Sequence, residues 1–163
     1  MGNRLTVGQQ ILDLFIGVRI SIPQQTMDIY KKLYELNFPI GEYVVVGGAM
    51  AAHGIREAHD LDILVTPNLY VKLQDEGYAQ SRQERDLRTS RLLLDKNGVQ
   101  ILPNFMLGNY IGDTKKLIKN ADIIRGFPFI KLRELMKFKK ELGRPKDFED
   151  IELMKNYLKS TRS

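Results

Sequence analysis

The chain has 163 residues, 43% hydrophobic and 28% charged, a balance that suits one folded domain with a real core, and no internal repeat, low-complexity tract or linker stands out along it. It has no cysteine, which removes disulfides, thiolate metal sites and a cysteine nucleophile, and fits a reducing compartment. A formal charge of +5 either favours anionic partners (nucleotides, tRNA, nucleic acid) through its field or only solvates a lysine-rich surface. No apolar run approaches the ~18–20 residues that span a membrane, and the N-terminal stretch carries no secretory pattern, so no membrane partner and a cytoplasmic location are expected.

Taken in order, residues 8–18 place Ile11, Leu12, Leu14, Phe15 and Val18 on one helical face. Pro23 opens a second helix over residues 24–36, which Asn37, Pro39 and Gly41 end. Tyr43 to Val46 is a fully apolar, β-branched run, read as a buried strand. Gly47 and Gly48 follow at once, then a helical segment over 49–53 and a second strand over 60–65. Thr66-Pro67-Asn68 is a turn into a short helix over 69–75, closed by Gly77. Residues 78–86 read as a loop or an edge strand. Residues 88–95 and 99–105 form a hairpin about Lys96-Asn97-Gly98, since Asn-Gly is the strongest short hairpin signal. Residues 108–120 are ambiguous, with a helix over 113–119, and a short strand at Ile123-Ile124 is broken by Gly126 and Pro128. Residues 131–142 make an amphipathic helix stopped by Gly143 and Pro145, and Asp147 caps a last helix over 148–158. The expected architecture is α/β (α+β): a mixed sheet of about 4–5 strands flanked by helices in a single domain, 1–163, with its core over roughly 23–105 and C-terminal helices over 130–159.

The chemistry concentrates in Tyr43 to Val65, YVVVGGAMAAHGIREAHDLDILV. Two glycines between a strand and a helix let the backbone turn tightly and approach a ligand, and the first amides of the helix suit a phosphate. Side chains alternate along a strand, so Asp60 and Asp62 share one face while Leu61, Ile63 and Val65 enter a core. Paired carboxylates suit a hard cation such as Mg²⁺, or Mn²⁺, which binds one or two carboxylates plus substrate phosphates. Together they describe a site for phosphoryl or nucleotidyl transfer. There is neither a G-x-G-x-x-G dinucleotide fingerprint nor a P-loop. His53 and His59 read as structural.

This run, VVVGGAMAAHGIREAHDLDILV, resembles the signature of the DNA polymerase β-like nucleotidyltransferase superfamily, nearest to the small single-domain members related to AbiEii-type toxins. The resemblance implies the nucleotidyltransferase fold and a Mg²⁺-dependent transfer of a nucleoside monophosphate from an NTP to a hydroxyl of an RNA, a protein or a small molecule. By it, Asp60 and Asp62 would be catalytic and hold the metal, and Gly47, Gly48 and Arg56 would bind the nucleotide. It also covers Phe129 to Met154, a lysine-bearing helix followed by Gly-Arg-x-Lys-Asp and an Asp-Ile helix, which adds Lys139, Arg144 and Lys146 to the nucleotide-binding set. Cations there would offset phosphate charge. Equally, they would complement a helix C-terminus, and Asp147 and Asp150 would pair with Arg144 or Lys146.

The threonine of the pattern two positions after the arginine is Ala58 here, and a larger departure bears on the metal site. Active members carry a third acid on the strand after the hairpin turn, and here that strand reads Val99-Gln100-Ile101-Leu102-Pro103-Asn104. Gln100 or Asn104 would ligate only as neutral oxygen donors, and Asp95 sits on the neighbouring strand. An enzyme and a catalytically impaired binding module, which the resemblance to toxin–antitoxin members would pair with a cognate partner protein, are both compatible with that pattern.

Overall fold

The computed structural model describes residues 27–81 and 93–161. The helix expected over 8–18, the Pro23 turn and the first part of the predicted hairpin lie outside them.

Helix α1, Ile29–Leu36, starts at Asp28, whose carboxylate accepts from the Lys31 amide, and ends at Asn37 in the left-handed region, φ 50°. Strand β1 is Tyr43–Gly47, α2 is the single turn Ala49–Ala52, and β2 is Leu61–Val65. Helix α3, Pro67–Asp75, begins two residues earlier than expected, because Pro67 fits the first helical turn and the Thr66 hydroxyl caps the Leu69 amide at 3.3 Å. Strand β3, Ala79–Ser81, is the edge strand allowed for. Strands β4, Leu93–Lys96, and β5, Val99–Leu102, form the predicted hairpin. Its Asn97 and Gly98 both have positive φ, 51° and 81°, as a two-residue turn of this hand requires. A small ribbon follows, β6 Met106–Leu107 and β7 Tyr110–Ile111, and then α4, Thr114–Lys119, capped by Asp113. Strands β8, Asp122–Ile124, and β9, Phe127–Phe129, form a second hairpin about Arg125 and Gly126, φ 52° and 86°. Helices α5, Leu132–Leu142, and α6, Pro145–Ser160, close the described chain, with Gly143 in the left-handed region between them.

The main sheet has seven strands in the order β3-β4-β5-β2-β1-β9-β8, and β6-β7 stand apart. Strand β2 runs antiparallel to β1 and parallel to β5, and β1 runs parallel to β9. The expected four to five strands are therefore corrected to seven. Strands β3 and β8 fall where an edge strand and a short strand at Ile123-Ile124 were expected, and β9, three residues long and too short to carry a period, is the addition. Pro128 had spoken against β9. It is tolerated inside the sheet because the bond to β1 comes from the next free amide but one, Ile130 N–H to the Val45 carbonyl at 2.9 Å.

Both faces of the sheet are covered. Leu61, Ile63, Leu64 and Val65 are fully buried, and one continuous apolar cluster runs from Ile29 to Met154. Helix α1 lies on the face of Val45 and Leu61: a Cβ placed on Gly48 would touch Leu61, Val45 and Ile29 together. The opposite face carries Asp62, and α5 closes that side through Leu135 and Phe138, the latter stacked on Phe105 at 3.9 Å between ring centroids. Among the described residues no helix is long and apolar enough to cross a membrane.

Candidate functional site

The diglycine bend and the second acid meet directly. Strand β1 bulges between Val45 and Gly47, which sets Gly47 opposite Asp62 in the ladder. A Cβ on Gly47 would lie 2.7 Å from Asp62 Cγ and 2.9 Å from Asp62 Cβ, so only glycine leaves room for that carboxylate. Gly48 is required for a different reason: its φ of 128° is strained for any residue with a side chain. The helix behind it is one turn, so its macrodipole is small and the cradle consists of local amides.

Asp60 falls just before β2, which begins one residue later than the predicted strand start. It nonetheless lines the same cavity as Asp62, Gly47 and Gly48. That cavity has a volume of about 970 Å³, within the range of ligand sites. Arg56, Lys139, Arg144 and Lys146 line it too. The eight residues expected to bind nucleotide or metal therefore converge on one space, although they come from the two ends of the described chain. Leu102, Phe105, Leu107, Leu135 and Phe138 add an apolar part to its lining. Nothing in the sequence reading anticipated it, because these residues carry ordinary core periodicity.

The cations are not loose. Lys139 Nζ lies 2.9 Å from Asp150 and 3.6 Å from Asp147, and Arg56 reaches the same Asp150 carboxylate at 3.1 Å. Arg144 grips Asp147 with Nε at 2.6 Å and Nη2 at 3.1 Å, and its backbone amide adds a third bond at 3.2 Å. Asp147 thus sits at the third position of α6, reaching back to the residue before the helix, and the expectation that it is the cap itself is corrected. The helix begins at Pro145, which suits the first helical position. Burial pushes the Asp147 carboxyl up, but its bonds to Arg144 and the nearby Lys139 outweigh that and hold it below the ordinary carboxylate value. The same carboxylate raises Arg144. Lys146 lines the cavity, is exposed, and has no ion pair among the described residues.

Ladder register places Gly47, Asp62, Gln100 and Asp95 in one row across β1, β2, β5 and β4. Paired residues share a face, so the Gln100 side chain stands beside Asp62 and lines the cavity. Asp95 is one strand further, roughly 10 Å from β2, and exposed. It does not line the cavity. Two carboxylates with one neutral oxygen donor fit a single Mg²⁺ that takes its other ligands from phosphate and water. They do not make a two-ion set, and no group of three histidine, aspartate or glutamate side chains able to hold a metal occurs among the described residues.

The histidines separate. His53 ends α2 with Nδ1 3.3 Å from the Tyr157 hydroxyl and Nε2 4.0 Å from Asp122, away from the acids of the cavity. Burial lowers its pKa, Asp122 opposing and Lys131 assisting. His59 is exposed and lines the cavity beside Asp60.

No family model, curated protein or solved structure matches this chain.

Proposed function

We propose that the chain is a Mg²⁺-dependent nucleotidyltransferase that moves a nucleoside monophosphate from an NTP to an acceptor hydroxyl. One observation carries the reading: the carboxylate of Asp62 packs against Gly47, the bend whose amides would receive phosphate, within a cavity walled by Arg56, Lys139 and Arg144. Asp60 and Asp62 would hold the ion, which when bound neutralises phosphate charge. The Gly47 and Gly48 backbone would seat the β- and γ-phosphates, because no side chain stands between it and the ligand. The three cations would stabilise the charge that builds on the departing pyrophosphate. The acceptor oxygen bonds to the α-phosphorus, the bond to the bridging oxygen of pyrophosphate breaks, and the hydroxyl proton leaves to solvent. The apolar part of the lining gives a flat base or an apolar part of the acceptor a dry surface.

A second reading follows from Gln100. A neutral side chain beside Asp62, where a third acid would help hold the ion that activates the acceptor hydroxyl, favours a module that binds nucleotide or a cognate partner protein without turnover. The two separate in one assay. The chain is incubated with labelled NTPs, Mg²⁺ or Mn²⁺ and panels of RNAs and proteins, beside an Asp60→Ala/Asp62→Ala double variant. Label transfer that the double variant loses is the expected result. Metal-dependent NTP binding with no transfer selects the module, and transfer that survives in the variant rejects the acids as the site.

A further inference from the structure

We infer that Asp147 and Asp150 are positioning residues of the cavity: two buried carboxylates that hold Arg56, Lys139 and Arg144 as one fixed wall facing a polyphosphate. The inference rests on the nucleotide reading of the cavity. Asp147 is 0% exposed and Asp150 4%, and both sit on α6, outside the diglycine unit. A buried carboxylate survives only when paired, yet a well-packed apolar residue would serve stability as well or better. Their placement has a more specific result. Asp150 gathers a loop arginine and an α5 lysine at one point, and Asp147 gathers that lysine and Arg144 at the next. Lys139, only 13% exposed, is shared by both.

Three cations against two acids leave the wall net positive by one. Arg56 and Arg144 are each half-exposed, so part of each guanidinium fork, with five donors to distribute, still looks outward. Held this way, the cations lose little freedom when an anion arrives. Free side chains would each pay that ordering cost on binding.

The consequence has a sign that charge counting alone reverses. Asp150→Asn removes a negative charge beside an anion site, and by Coulomb attraction alone it would tighten anion binding. If Asp150 positions Lys139 and Arg56, the folded variant instead binds inorganic tripolyphosphate roughly tenfold more weakly. Calorimetry on the full chain, with circular dichroism to verify folding, reads this directly. Wild type that binds and Asp150→Asn that binds as tightly or more tightly overturns the positioning role alone. Wild type that binds no tripolyphosphate overturns the nucleotide reading and this inference with it. Should the variant not fold, reductive methylation of the wild type decides. Lys139 is expected to react more slowly than the exposed Lys137 and Lys140, and more slowly still with tripolyphosphate bound. A Lys139 that reacts as fast as Lys137, or that bound tripolyphosphate leaves unprotected, overturns the role.

Discussion

Gly47→Ala is expected to weaken metal-dependent ATP binding about tenfold or more while costing roughly 1–3 kcal/mol of stability. The backbone at Gly47 has no positive φ, so alanine is not strained there on conformational grounds. The cost comes from space. The new methyl would lie under 3 Å from Cγ and Cβ of Asp62, and Cβ cannot rotate away. Either β1 shifts against β2 or the Asp62 carboxylate leaves the bend. Both separate the acid from the amides. Calorimetry with ATP and Mg²⁺ reads the affinity, and urea melts read the stability. Wild-type affinity in Gly47→Ala would mean that the contact between bend and acid has no part in binding.

Asp147→Asn should be the most destabilising single change in the cation wall, by about 2–3 kcal/mol. It removes the charge that receives two guanidinium bonds and the Lys139 ammonium, at a site with no access to water. The loss stays below the full penalty of stranding a buried charge because Lys139 keeps Asp150 and half-exposed Arg144 regains water. Thermal melts should fall by on the order of 5–10 °C. The pH dependence has a definite sign. The folded Asp147 carboxyl titrates below its ordinary value of 3.8, so the unfolded chain binds that proton more readily. Its contribution is complete above pH 3.8 and disappears as the pH falls through the lower folded value. The gap between wild type and Asp147→Asn should therefore close in acid. A gap that persists unchanged at low pH would assign the loss to packing, not to charge.

Much of the site was legible because its signals are local. The apolar run into Gly47-Gly48 and the alternation at Asp60 and Asp62 fix a strand, a bend and a shared face within 23 residues, Tyr43 to Val65. The Asn97-Gly98 turn and the Gly143 stop were equally local, since each needs a left-handed backbone. Strands β8 and β9 were not legible as a pair. Three residues give no period, and Pro128 is a correct warning that the bond from Ile130 to Val45 overrides. The meeting of Arg56 with Asp150 was also hidden, because the two lie on opposite sides of the sheet's sequence and only α6 packing brings them together. Asp147 read as the cap of a helix starting at 148, whereas Pro145 takes the first helical position and makes Asp147 the third residue of the helix.

The proposed ion on Asp60 and Asp62, facing the diglycine bend, is tested most directly by electron paramagnetic resonance of Mn²⁺ titrated into the chain with a non-hydrolysable ATP analogue. One bound Mn²⁺ per chain in wild type, and none in Asp60→Ala/Asp62→Ala, is the predicted result. Equal Mn²⁺ binding in both proteins, or none in either, would contradict it.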